Sequence, residues 1–188
     1  MLKLTPRPGY RLRGFTLIEL MVTIAVLGIL LALALPDLRS FMVGNRLSSD
    51  VNGLVGLINY ARSEAIARNQ DVVICPKDNV ANTCIASQFW GEFETQVFVD
   101  LNGNGQRNAG DLLLKTIPAT DPAGLERRIT RNAGPGVIRF GAVGFSQTPH
   151  QFNVFAIGDA AFEIRYGRTI CISRPGRVRV AAANDACA

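Results

Sequence analysis

From Phe15 to Leu35 the chain is apolar at nearly every position, broken only by Gly, Thr and the single acid Glu19. A run of about 20 such residues is long enough to cross a bilayer as a helix, so residues 15–36 are expected to form a transmembrane segment. Beyond Pro36 the pattern becomes amphipathic. Leu47, Val51, Leu54, Ile58, Ala61 and Ala65 advance by fours and threes, which lines one face of a helix. Arg46, Asp50, Asn52, Arg62 and Arg68 lie mostly off that stripe. With Pro36 as a kink rather than an end, one helix is expected from near Phe15 to near Arg68, roughly 80 Å long at about 1.5 Å per residue.

After Asn69 the period changes to two. Residues 72–74, 93–99, 112–117, 137–140, 152–157, 162–166, 169–172 and 177–180 read as short strands, separated by turn residues at 102–105, 134–136 and 174–176. An antiparallel sheet laid against the second half of the long helix is expected, which makes the fold class α+β. The organisation that follows is a basic leader at 1–14, a membrane helix at 15–36, an amphipathic helix at 37–69 and a β-rich domain at 70–188.

Charge places the ends. Lys3, Arg7, Arg11 and Arg13 precede the apolar run with no acid among them, so the positive-inside rule keeps the leader in the cytoplasm and sends the remainder across. The net charge of +5 is mostly this leader. In the rest, residues 70–124 hold three bases and seven acids, whereas 125–181 hold nine arginines and three acids, an asymmetry that asks for an explanation.

Glu19 is costly where it stands, by about 2.5 to 3.5 kcal/mol on insertion scales, so it needs a partner or a task. Thr16-Leu17-Ile18-Glu19 also fits a capping box at a helix start. A secretory signal peptide is a rival reading, since Ala32-Leu33-Ala34 resembles a small-x-small cleavage site, but the apolar run is longer than a signal h-region and begins directly after Gly14.

At Gly14, Phe15 and Glu19 the chain resembles the type IV prepilin family, which carries a basic leader, a Gly before a Phe, and Glu at the fifth position after the cut. The resemblance implies that a prepilin peptidase cleaves after Gly14 and N-methylates Phe15. It further implies that Glu19 pairs with the Phe15 amine of a neighbouring subunit. Tyr60-Ala61-Arg62-Ser63-Glu64-Ala65, Val72-Val73-Ile74-Cys75-Pro76, Trp90-Gly91 and Val97-Phe98-Val99-Asp100 are similar to the GspH/FimT group of minor pilins and type II secretion pseudopilins. What this implies is a type IV pilin-like fold and a low-copy subunit at a filament tip or start. Its expected partners are other pilin or pseudopilin subunits, the peptidase and the membrane, and its expected place is the inner membrane with the domain in the periplasm.

Cys75, Cys84, Cys171 and Cys187 suit an oxidising compartment. Sequence alone leaves the pairing open. Cys75 with Cys84 and Cys171 with Cys187 is the favoured arrangement, because each bond would staple one local loop, worth roughly 3 kcal/mol in the chain-entropy model. No CxxC spacing accompanies His150, the lone histidine, so a zinc site has little support.

Two segments carry candidate chemistry. Asp100, Asn102, Asn104 and Asp111 fall at calcium-loop spacing with Gly105 at position six. Position twelve is Asp rather than Glu, Arg107 sits among the ligands, and a hairpin turn explains the same Asn and Gly residues. No other cofactor is expected. Near the end, Arg168, Arg174, Arg177 and Arg179 cluster, and alternation in a strand would set Arg177 and Arg179 on one face with Val178 and Val180 on the other, at a buried edge. Gly176-Arg177-Val178-Arg179 resembles a Gly-Arg-x-Arg element of FimT-like pilins that bind DNA in natural transformation, which implies double-stranded DNA as a further partner. Contacts of this kind would be sequence-independent and salt-sensitive. A charged edge strand, or a patch facing an acidic subunit, accounts for the same residues. No catalytic constellation is found, so an enzyme is not expected.

Overall fold

The computed structural model describes residues 14–78, 80–123, 126–132, 136–158 and 160–187, and side chains at 33–40 and 160–162 are outside the description. The leader, apart from Gly14, lies outside it, as do residues 134 and 135 of the expected turn at 134–136. The chain divides into two units, one ending at Met42 and one spanning Val43–Ala188.

Helix α1 (Leu17–Arg68) enters both units. In the first, the apolar side chains from Leu17 to Leu31 are exposed. Among the described residues no helix is long and apolar enough to cross a membrane, and the span expected at 15–36 runs into positions whose side chains are not described. In the second unit the stripe behaves differently. Leu47, Val51, Leu54, Ile58, Ala61 and Ala65 are all buried, with Leu57 beside them. The helix ends in a Schellman motif: Asn69 takes a left-handed φ of 52°, its N–H bonds the Ile66 carbonyl (3.3 Å), and the Gln70 N–H bonds the Ala65 carbonyl (3.2 Å).

The strands are β1 (Val72–Pro76), β2 (Thr95–Val99), β3 (Leu112–Ile117), β4 (Arg127–Asn132), β5 (Ile138–Phe140), β6 (His150–Ala156), β7 (Arg168–Ile172) and β8 (Val178–Ala182). They form two four-stranded antiparallel sheets, β3-β2-β1-β5 and β4-β6-β7-β8, rather than the single sheet expected. The physical reason is that one helical stripe has two flanks to cover. Val72, Ile74, Val97, Val99, Ile138 and Phe140 come from the first sheet, and Ile129, Phe152, Val154, Ala156, Ile170 and Ile172 from the second, all in one core with α1. Val73, Cys75, Cys84 and Phe98 form a second, smaller cluster, so β1 is buried on both faces.

Two readings need correction. Residues 162–166, expected as a strand, belong to α2 (Ala160–Tyr166). The Gly167 N–H closes an i to i−4 bond on the Glu163 carbonyl (2.8 Å), and Ile164 faces water, which a core strand would not allow. The Tyr166 ring packs where Gly44 of α1 leaves room: a Cβ there would lie 2.9 Å from Tyr166 Cδ1. Strand β4 was not anticipated at all, because Ile129 is its only apolar residue.

Phe152 is fully buried and meets Trp90 edge to face at 4.9 Å between ring centroids. Phe152→Ala is expected to lower the unfolding free energy by about 3–5 kcal/mol, read from chemical denaturation. A loss below about 1 kcal/mol would show that the second sheet does not depend on this contact.

Candidate functional site

At the amino-terminal end, the Thr16 hydroxyl accepts a hydrogen bond from the Glu19 N–H at 3.3 Å, one half of a capping box. The Glu19 carboxylate forms no hydrogen bond or ion pair among the described residues and stands between exposed apolar side chains, as does Phe15. The arrangement is a charge without a partner on an apolar surface.

The Asp100 turn is built around a guanidinium. Asp100 accepts from the Gly103 N–H (2.9 Å) and the Gly105 N–H (2.8 Å), both glycines holding positive φ, and from Arg139 Nη2 (2.9 Å). Arg139 also donates to the Gly103 carbonyl at 2.9 Å. Asn102 and Asn104 accept from the N–H groups of Asn104 and Gln106, and Asp111 accepts from those of Leu101 and Asn108. The sequence spacing therefore brings all four expected calcium ligands into one turn, where their oxygens accept from backbone N–H groups and Asp100 Oδ2 also accepts from Arg139. Among the described residues, no three Asp, Glu, His or Cys side chains gather as metal ligands. The Cys75–Cys84 disulfide lies against this turn, for the Cys84 N–H bonds Gln106 Oε1 at 3.1 Å.

The charge asymmetry of the sequence resolves the same way. Asp71 and Asp100 face Arg139, Glu94 pairs with Lys77 at 2.6 Å, and Asp50 of α1 holds Arg127 at 2.6 Å. Three of the seven acids at 70–124, Asp71, Glu94 and Asp100, thus have a basic partner. Of the later arginines, Arg127 and Arg139 are paired in this way, whereas Arg174, Arg177 and Arg179 make no ion pair among the described residues.

Arg174 and Arg177 lie in the turn before β8. The Ser146 N–H bonds the Arg174 carbonyl at 2.9 Å, and Ser173 bonds both ways with the Arg177 backbone. Gly176 holds φ 78° and packs so closely that a Cβ would lie 2.3 Å from the Gly144 carbonyl oxygen and 2.8 Å from Arg62 Nε. Arg62 itself donates to that carbonyl at 3.0 Å, so the turn is fastened to α1. Arg179 stands opposite Cys171 and donates to the Ala186 carbonyl at 3.2 Å, while the Cys171–Cys187 disulfide ties down the tail. Arg174, Arg177 and Arg179 are exposed and make no ion pair among the described residues.

Arg168 does not join them. Register sets it across from Ala182 on the face of Ile170 and Val180, opposite the face of Cys171 and Arg179. Its guanidinium bonds the Gly167 carbonyl at 2.7 Å. The expected buried edge also needs correction, since Val180 is 45% exposed: β8 is the outermost strand, and only Val178 reaches the core.

One constellation was not foreseen. Arg131 of β4 is 4% exposed and donates from Nη2 to His150 Nδ1 at 2.5 Å, which fixes the His150 proton on Nε2. Burial, and then the Arg131 charge, press the His150 pKa down to about 4, so the ring is neutral near pH 7. Burial lowers Arg131 to about 10, which leaves it charged. The signal was thin, an arginine in a segment that did not read as a strand.

A helix whose second half supports antiparallel sheets, preceded by an apolar half with one acid, defines the type IV pilin-like fold. The crystal structure of the type IV minor pilin FimU of Pseudomonas aeruginosa shares it, at a TM-score of 0.56 and 20% identity, covering 77% of this chain and 96% of that one. The chain belongs to the GspH family: the family model described as type II transport protein GspH matches residues 50–176, and the prokaryotic N-terminal methylation motif matches residues 11–35. The fimbrial protein EcpC of Eikenella corrodens is 38% identical over 91 residues, which cover 48% of this chain and 56% of that protein. A fimbrial protein of Pseudomonas aeruginosa is 37% identical over 68 residues, 35% of this chain and 44% of that one. The chain thus matches about half the length of these curated relatives.

Two outcomes follow from the geometry. Because the folded chain holds His150 near 4 and the unfolded chain near 6.5, unfolding takes up a proton between those values, and stability is lost as pH falls through that window. Unfolding free energy should drop by about 3 kcal/mol from pH 7 to pH 4 through this group, and His150→Gln should flatten that part of the curve. Gly176→Ala should cost more than about 1 kcal/mol in thermal or chemical unfolding, since it meets both a left-handed φ and the Gly144 carbonyl.

Proposed function

We propose that this chain is a minor pilin or pseudopilin, a low-copy structural subunit that helps initiate or cap a type IV pilus or a type II secretion pseudopilus. The observation that carries the reading is Glu19, a carboxylate without a partner among the described residues on the apolar half of α1, in a chain of the GspH family. A prepilin peptidase removes residues 1–14 and methylates the new terminus at Phe15. Residues 15–36 then hold the subunit in the inner membrane, with 37–69 continuing into the domain and 70–188 in the periplasm. During assembly the Glu19 carboxylate takes the amine of a neighbouring Phe15, which neutralises both charges in an apolar surrounding. The role is structural, and no reaction is assigned to it.

A second reading is favoured by one observation, the exposed guanidiniums of Arg174 and Arg177 on a turn packed against Gly144 and Arg62 and of Arg179 in β8, without an ion pair among the described residues. On this reading the subunit also binds double-stranded DNA through phosphate contacts during uptake, with Arg168 outside the contact surface.

Intact mass of membrane-extracted protein should correspond to a chain beginning at N-methylated Phe15, and Glu19→Ala should reach the membrane yet fail to enter filaments. Unimpaired incorporation of Glu19→Ala would remove the basis of the assembly role. For DNA, the full chain in detergent should retard duplex DNA at low salt, and Arg177→Ala with Arg179→Ala should weaken this without loss of thermal stability. Equal retardation by variant and wild type rejects that surface.

A further inference from the structure

Arg131 keeps its charge inside the protein with little to balance it. Its backbone N–H bonds the Gln88 carbonyl at 2.8 Å and Nη2 bonds His150, but Nε and Nη1 are buried without a hydrogen-bond partner. No acid among the described residues forms an ion pair with it, and His150, being neutral, adds no charge of either sign. The Trp90 ring, 6.0 Å from the guanidinium carbon, is the one compensating group of the aromatic kind. A buried cation in this state is far more costly than a paired one.

Beside it lies a cavity of about 370 Å³, lined by Ala86, Ser87, Gln88, Phe89, Arg131 and Gly136. The wall formed by 86–89 runs along the outer edge of β4, where Phe89 bridges to Thr130. Gly136 lets this wall close, because a Cβ there would lie 2.5 Å from the Ile85 carbonyl oxygen and 2.7 Å from Ala86 Cα. Ser87 Oγ accepts the Phe89 N–H at 3.0 Å, which leaves its hydroxyl proton to donate to a guest. Phe89 offers an apolar side, steadied by Arg128 stacked 5.1 Å from the ring centroid. The lining thus combines one positive charge, one hydroxyl donor and an aromatic face.

We propose that this cavity binds a carboxylate, which pairs with Arg131. A monoanion fits the charge present. A dianionic phosphate or sulfate would bring one negative charge more than Arg131 neutralises, and the described lining holds no other charged side chain, Arg128 lying behind Phe89. The carboxylate comes either from a small organic acid or from an acidic side chain of a neighbouring polypeptide, and the chemistry at Arg131 is the same for both. The site stands on the opposite edge of the second sheet from β8, so it is independent of the arginines weighed for DNA.

The test uses the full chain in detergent and thermal unfolding at neutral pH. Sodium acetate should raise Tm progressively above sodium chloride at matched ionic strength, with sulfate no better than chloride. Arg131→Gln should weaken the acetate response at least about tenfold, as expected for loss of a charged hydrogen-bond partner. Because that variant can fail to fold, Ala86→Glu provides a second measure: a carboxylate supplied from the cavity wall should raise Tm and abolish the acetate response. A capped glutamyl peptide that raises Tm more than acetate at equal concentration assigns the side-chain source, and equal responses assign the free acid. Acetate indistinguishable from chloride, a response retained in Arg131→Gln, or one undiminished in Ala86→Glu overturns the proposal.

Discussion

The domain exists to take one helical face out of water. Leu47, Val51, Leu54, Leu57, Ile58, Ala61 and Ala65 are buried, and no isolated helix could achieve this. Apolar burial at about 25 cal/mol per Å² is the main favourable term available. A single stripe about 100° wide touches two surfaces at once, and the two sheets meet along it. Small residues set how closely they approach. Ala61 and Ala65 are fully buried in the core between helix and sheets, and Gly44 admits the Tyr166 ring.

Much of this was legible in the residues, for physical reasons that differ by element. The stripe on α1 was readable because a helix on a core repeats its apolar positions at fours and threes. Strands β1, β2, β6 and β7 were readable because β-branched and aromatic residues crowd them. Strand β4 was not, since Ile129 is its only apolar residue and its other buried side chain is that of Arg131, with Arg, Thr and Asn in the rest. Residues 162–166 misled because an apolar-polar alternation over five positions also fits a short helix whose far side is wet, as the exposed Ile164 shows.

The candidate sites were legible in composition and not in geometry. Spacing gathered Asp100, Asn102, Asn104 and Asp111 into one turn, yet nothing in the local sequence announced that Arg139, from β5, would fill the centre. Likewise the arginines near the end form one group on paper and two in space, because strand alternation puts Arg168 and Arg179 on opposite faces. Long-range pairs of this kind are set by sheet register, which depends on the whole domain. The Arg131–His150 pair is of the same sort, joining β4 to β6 across a ladder that neither segment specifies alone.

The two disulfides are both short-range, with sequence separations of 9 and 16. Neither ties one sheet to the other. Each crosslink can therefore be closed by an oxidant as soon as its own stretch of polypeptide is available, before distant strands have found each other. A chain built in this way avoids scrambled bridges without waiting for its tertiary structure.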